Sequence, residues 1–246
     1  MAIDDRYSLQ TAPLVPARLP SHAGIRLLFH PREWNFQLDA GSVGLGLLIF
    51  WFAAVHLRLW IAHPGVFVGA GQVALEVVQG VLLFIRRRDR TGRRAPSVWL
   101  ATTIGSWGFL LARPEGGAYF NAPALFGAQP FLGAEGLWLG VQLLGTTCAI
   151  ASLTSLGRSF GLLAANRGVQ TRGAYQVIRH PAYASYMLVQ IGYVFENLSF
   201  WNLAVFCMVM VGQLTRIHQE EATLSQDPAY VRYCRQVRSR LVPGLF

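Results

Sequence analysis

The chain alternates between long apolar runs and short arginine-rich segments, and the apolar runs set its architecture. Four runs lie near residues 43–61, 66–85, 98–112 and 137–156. The first, second and fourth are long enough to cross a hydrocarbon core of about 30 Å at about 1.5 Å per residue. The third is shorter and is expected to include flanking residues. Because backbone amides in lipid must be hydrogen-bonded within the protein, each run predicts a membrane-spanning helix.

A fifth apolar region, from Ala182 to Leu214, is too long for one membrane helix, since it would reach about 50 Å. The sequence Glu196-Asn197-Leu198-Ser199 in its middle is polar and indicates a turn. The region therefore predicts a hairpin with arms 182–195 and 200–214, each extended by flanking residues. The predicted fold class is all-α: a polytopic integral membrane protein with about six transmembrane segments, of which the last two form the hairpin.

Composition supports the membrane assignment. The chain is 53% hydrophobic and only 13% charged, whereas about 25% charged is usual for soluble domains. Its 21 lysine or arginine positions are all arginine, a usage typical of GC-rich coding sequences that favours a bacterial source. With these apolar runs, the net charge of +9 indicates anionic lipid headgroups as partners and not nucleic acid. The three cysteines have no spacing typical of a disulfide framework or a metal site.

The placement of the arginines predicts the orientation. Six of them lie in the 86–94 loop, which the positive-inside rule assigns to the cytoplasm. Alternation of the helices then puts residues 1–40, residues 157–181 and the C-terminal tail on the same side. Only Arg58 and Arg113 fall near the outer face, so 19 of the 21 arginines (21 − 2) are cytoplasmic. The expected location is the bacterial inner membrane, with the active site facing the cytoplasm.

Two polar segments flank the hairpin, and a closed hairpin would bring them together at the cytoplasmic face. The first ends in Arg179-His180-Pro181-Ala182-Tyr183, and the second contains Arg216 and the pair Glu220-Glu221. His180 and Glu220 lie 40 residues apart in sequence, yet the hairpin makes them neighbours. We expect a site at this convergence.

In these segments the chain resembles the isoprenylcysteine carboxyl methyltransferase family and its phospholipid methyltransferase relatives. The family pattern is Gly-Pro-Tyr, then Arg-His-Pro-x-Tyr-x-Gly, a hairpin, an arginine, a Glu-Glu pair and two spaced tyrosines. The chain departs from it at Ala174, at Ser185 and at Asp227-Pro228. The resemblance covers about residues 150–246. The matching residues are Gly173, Tyr175, Arg179, His180, Pro181, Tyr183, Arg216, Glu220, Glu221, Tyr230 and Tyr233.

The resemblance implies an S-adenosylmethionine-dependent methyltransferase that acts on a lipophilic, membrane-embedded acceptor and needs no metal. The apolar pattern predicts a cytoplasmic or interfacial N-terminal segment at 1–40 and a four-helix transmembrane region at 41–156. The resemblance implies a cofactor-binding core at 157–246, with hairpin 182–214 and a cytoplasmic tail. Arg216 and Glu221 are the expected catalytic residues. The expected cofactor-binding residues are Gly173, Tyr175, Arg179, His180, Pro181, Tyr183, Glu220, Glu221 and Tyr230.

The chemistry of these side chains agrees with that expectation. Carboxylates can accept hydrogen bonds from the ribose hydroxyls or the amino group of the donor. Arginine can hold the donor's carboxylate bidentately, and tyrosine can pack on adenine. The acceptor itself stays open among a carboxylate, a phospholipid amine and another lipid nucleophile.

Two other functions fit the same residues. One is an NADPH-dependent membrane reductase of the sterol reductase type, which the ending 240–246 also resembles. The other is a non-catalytic lipid-binding or scaffold protein. In both cases Arg179-His180-Pro181 would be a helix start with basic residues at the headgroups. The arginines at 232, 235, 238 and 240 would then only bind anionic lipid. Binding of the methyl donor, of NADPH or of neither distinguishes the three.

A second polar set lies within the bilayer. Gln72, Glu76 and Gln79 share one face of the second predicted helix at i, i+4 and i+7. An ionisable side chain in a membrane span needs a partner, either as functional machinery or as interhelical glue. His56 of the first helix lies at a similar depth, so the sequence predicts a Glu76–His56 pair.

Overall fold

The structure, a computed structural model, describes residues 40–62, 67–87, 96–112 and 135–244. The N-terminal segment and most of the 86–94 and 113–136 loops, including Arg113, lie outside these ranges. Within them the chain is helical and contains no strand. Its helices are α1 (Ala40–Ala62), α2 (Phe67–Ile85), α3 (Pro96–Trp107), α4 (Glu135–Leu156), α5 (Pro181–Glu196), α6 (Phe200–Leu224) and α7 (Pro228–Gln236).

The all-α membrane fold is confirmed, but the count of six spans is not. Among the described residues, three stretches are long and apolar enough to cross a membrane: Val43–Ala62, Gly136–Ser159 and Phe200–Leu224. Ala70–Ile85 is apolar but shorter. Helix α3 has 12 residues and continues into a 3-10 turn over Gly108–Leu111, and α5 has 16 residues. The length of the apolar runs alone did not distinguish these shorter helices from full membrane spans.

The predicted break in the last apolar region is present. Helix α5 ends at Glu196, and α6 begins at Phe200. Ser199 caps α6, its hydroxyl accepting a hydrogen bond from the Asn202 amide at 3.2 Å. The expected extension of the second arm by flanking residues is present, since α6 continues to Leu224. Helical hydrogen bonds do not require apolar side chains, so α6 extends past the end of the apolar run.

Close packing of small residues holds the helices together. A Cβ added at Gly145 of α4 would lie 2.8 Å from the Val189 amide nitrogen of α5. A Cβ at Gly212 of α6 would lie 2.8 Å from the Gly105 nitrogen of α3. Such contacts are typical of membrane helices, where small residues let backbones approach. These contacts hold the middle of α5 against α4 and the middle of α6 against α3.

The predicted intramembrane pair is confirmed. His56 Nδ1 of α1 lies 2.8 Å and 3.0 Å from the two carboxylate oxygens of Glu76 on α2. Gln72 donates to the same carboxylate at 3.0 Å, and Glu76 is 7% exposed. The third residue of this face, Gln79, donates instead to the Tyr186 hydroxyl of α5 at 2.9 Å. The polar face of α2 thus bonds to both α1 and α5.

Candidate active site

The segment between α4 and α5 folds back onto the ends of the membrane helices. Arg158 donates from Nε to the Ile85 carbonyl at the end of α2, at 2.9 Å. The Arg87 amide donates to the Arg158 carbonyl at 2.7 Å. Phe160 and Leu162 are buried in the same apolar core as Leu83 of α2 and Leu153 of α4. The polar segment is therefore anchored on the helix ends.

Gly173 sets the position of Tyr175. Its φ of +61° lies in the left-handed region that favours glycine. An added Cβ would also collide with the Ser155 side chain at the end of α4. A 3-10 turn from Gly173 to Gln176 follows and buries Tyr175. Gly173 thus has a backbone role that explains its identity.

A cavity opens where this segment, the start of α5 and the end of α6 meet. It encloses about 560 Å³ of space not occupied by atoms, part of it open to solvent. The side chains with hydrogen-bonding or charged groups on its wall are Ser159, Arg167, Tyr175, His180, Tyr183, Tyr186, Arg216 and Glu220.

The two α6 residues on the wall are in contrasting states. Glu220 accepts a hydrogen bond from the Tyr183 hydroxyl at 2.9 Å. The Arg216 guanidinium donates to Ser106 Oγ at 3.0 Å and to the Leu162 carbonyl at 3.1 Å, and it lies 5.2 Å from the centre of the Tyr183 ring. Arg216 is 8% exposed. Within the described ranges, no carboxylate lies at ion-pair distance from it.

Glu221 is in the opposite situation, because two arginines and a histidine surround it. Its Oε1 lies 2.9 Å from Arg179 and 3.1 Å from His180 Nε2, and its Oε2 lies 2.9 Å from Arg240. The Tyr230 hydroxyl also approaches Oε1 at 3.4 Å. We call Glu221, Arg179, His180 and Arg240 the ionic cluster. Of these, only His180 lines the cavity.

Two buried tyrosines of α7 support the cavity from behind. Tyr233 donates to the Tyr175 carbonyl at 2.6 Å and so fixes the turn that carries Tyr175. Burial, and secondly the charge of Glu221, raises the pKa of Tyr230 far above its usual value. Burial, and secondly the charge of Glu220, likewise raises the pKa of Tyr175. The phenols of Tyr175 and Tyr230 are therefore neutral, and Tyr230 is a hydrogen-bond donor at any physiological pH.

The structure separates the residues that the sequence grouped together. Those that line the cavity are Tyr175, His180, Tyr183, Arg216 and Glu220. The others lie behind its wall: Arg179, Glu221 and Tyr230 around the ionic cluster, Gly173 at its turn and Pro181 at the first turn of α5. Ser185, where the family pattern has glycine, donates to the Pro181 carbonyl at 2.7 Å.

Sequence reasoning missed two parts of this site. The segment 159–167 supplies much of the cavity wall, including Arg167. Gly161 lies in this segment, and an added Cβ there would collide with the Arg167 guanidinium. The other is Arg240, whose contact with Glu221 had no sequence signal because four arginines of the tail look alike. Asp227-Pro228, a departure from the family pattern, forms a regular cap: Asp227 accepts from the Ala229 amide at 2.8 Å, and Pro228 begins α7.

Comparison with known proteins gives a family match over the part of the chain that forms much of this site. No protein with a curated description matches the chain. Residues 138–226, from α4 through α6, match the model of the Isoprenylcysteine carboxyl methyltransferase (ICMT) family. This is a family of membrane methyltransferases, and the match is consistent with an enzyme of this kind. The resemblance predicted from the sequence is therefore confirmed: over residues 138–226 the chain matches the isoprenylcysteine carboxyl methyltransferase family.

Proposed function

We propose that the protein transfers a methyl group from S-adenosylmethionine to a carboxylate of a lipophilic acceptor. The observation that carries the acceptor class is the buried Arg216 guanidinium, which lines the cavity without a carboxylate partner among the described residues. The family of membrane methyltransferases matched by residues 138–226 supports the reaction type.

We assign the donor to the part of the cavity nearer the ionic cluster, on the chemistry of the side chains there. Glu220 can accept hydrogen bonds from ribose hydroxyls or an amino group, and Tyr175 offers a neutral aromatic surface for adenine. When bound, the donor supplies a methyl group on a positive sulfur, which an acceptor carboxylate oxygen takes while the sulfur keeps the electron pair of the broken bond. Since a carboxylate has no proton to lose, the chain need only align the reactants and exclude water.

The acceptor's carboxylate fits Arg216. A buried charge is costly unless it is paired, and three neutral oxygens only partly compensate this one. Arg216 precedes Glu220 by four residues and so lies about 6 Å nearer the middle of α6. An acceptor arriving from the bilayer would meet it before it met Glu220. A planar guanidinium can hold a carboxylate bidentately and so fix the attacking oxygen.

Titration of the purified protein with three ligands tests the donor assignment. We expect calorimetry in detergent to detect S-adenosylmethionine and S-adenosylhomocysteine but not NADPH. Glu220→Gln should weaken donor binding about ten- to a hundredfold, because a charged hydrogen bond contributes about 1.5–3 kcal/mol. Binding of NADPH alone would support the reductase, and binding of neither nucleotide would support a lipid-binding protein.

The arginine bias supports a cytoplasmic site, and labelling tests this orientation. Arg235 on α7 is exposed. In a variant without the native cysteines, Arg235→Cys should react with an impermeant maleimide only after the cells are permeabilised. Strong labelling of intact cells would place the site on the outer face and refute the orientation.

A further inference from the structure

Among the four arginines of the C-terminal tail, Arg240 differs from the others by its contacts. Arg232, Arg235 and Arg238 are exposed. Arg240 is 31% exposed by side chain and lies 2.9 Å from Glu221 Oε2. The four tail arginines are therefore not equivalent, since Arg240 contacts a carboxylate and the other three are exposed.

Backbone pairing brings Arg240 to this position. The Arg179 amide donates to the Ser239 carbonyl and the His180 amide to the Arg240 carbonyl, both at 2.9 Å. The Arg179 guanidinium also donates to the Arg238 carbonyl at 3.2 Å. Residues 238–240 therefore form a strap along the residues that precede α5. This strap lies beyond the family match, which ends at residue 226.

Glu221 connects the strap to the cavity. Its Oε2 contacts Arg240, and its Oε1 lies within hydrogen-bond distance of His180 Nε2. An ionised carboxylate only accepts hydrogen bonds, so the contact assigns a hydrogen to Nε2. His180 Nδ1 has no partner among the described residues. In neutral His180, which is 4% exposed and lines the cavity, Nδ1 is then free to accept from a ligand.

We propose that Arg240 is a positioning residue which, through Glu221, holds His180 in the tautomer and orientation that the donor site requires. The proposal rests on the proposed function, since it assigns the donor to the cavity. Removing Arg240 frees one oxygen of Glu221, so the carboxylate can rotate away from His180. The imidazole then loses the contact that fixes its tautomer.

Calorimetry with S-adenosylhomocysteine tests the proposal on the full chain. Arg240→Ala should weaken binding about tenfold, and Arg240→Lys should restore part of the loss because it keeps the charge. The matched control is Arg238→Ala, which removes an exposed tail arginine but keeps the carbonyl that Arg179 uses. It should bind like the wild type. Equal losses in Arg240→Ala and Arg238→Ala would mean that only the tail's charge matters and would overturn the proposal.

A double-mutant cycle shows whether Arg240 acts through Glu221. In a Glu221→Gln background, Arg240→Ala should cause little further loss of affinity. Nitrogen-15 spectra of histidine-labelled protein should show the Nε2-protonated tautomer of His180 in the wild type and a mixture in Arg240→Ala. Additive losses or an unchanged tautomer would contradict the proposal. A wild type that binds no S-adenosylhomocysteine would instead refute the proposed function.

Discussion

Glu221→Gln is expected to destabilise the folded protein by about 3 kcal/mol, because removing one partner of a buried ion pair leaves the other charges uncompensated. Here the Arg179 and Arg240 guanidiniums would face a neutral amide, while the side chain at position 221 stays only 12% exposed. The unfolding temperature in detergent should fall by about 10 °C for a chain of this length.

The matched control for this change is the neighbouring Glu220→Gln. Among the residues that the structure describes, the Glu220 carboxylate has one hydrogen-bond partner, the Tyr183 hydroxyl, so the unfolding temperature of Glu220→Gln should stay close to that of the wild type. The two isosteric changes thus separate two roles: Glu221 holds the site together, and Glu220 contacts the donor. Equal unfolding temperatures for Glu221→Gln and the wild type would contradict the ionic cluster.

Arg216→Met should abolish methyl transfer, by at least about a hundredfold, while leaving the protein as stable as the wild type or more stable. The loss follows from removing a charged contact to the acceptor, which contributes roughly 1.5–3 kcal/mol or more in a buried site. The stability follows because replacing a buried charge with an apolar side chain of similar volume is often neutral or favourable.

The readouts for Arg216→Met are tritium transfer to lipid and unfolding temperature, measured on the same preparation. Donor affinity serves as the control and should change little, since Glu220, Tyr175 and His180 remain in place. A large loss of donor affinity would assign Arg216 to the donor's carboxylate and not to the acceptor. Full activity in Arg216→Met would remove Arg216 from the reaction.

The hairpin and the Glu76–His56 pair were predictable from sequence because the bilayer penalises polar groups strongly. Three polar residues within four positions, inside an apolar region of excessive length, require a turn, and an intramembrane carboxylate requires a partner. Both predictions need only the length of a membrane-spanning helix and the energetic cost of an unpaired polar group in lipid. The number of spans was less predictable, since α3 and α5 have only 12 and 16 residues.

The division of labour between Glu220 and Glu221 could not be predicted from their adjacency. Neighbouring residues on a helix point about 100° apart, so one faces the cavity and the other the strap. Which is which depends on how 179–180 pairs with 239–240, a contact across some 60 residues of chain that leaves no pattern in the sequence. The same pairing distinguishes Arg240 from the other tail arginines.

The most direct measurement is transfer of tritium from methyl-labelled S-adenosylmethionine to membrane lipid extracts by the purified protein. We expect a lipid-soluble product that releases volatile tritiated methanol on treatment with base, because a methylated carboxylate is an ester. Transfer to lipid that survives base would keep the methyltransferase but replace the carboxylate acceptor with an amine. If the wild type transferred no more tritium to lipid than Arg216→Met does, the proposed methyl transfer would be contradicted.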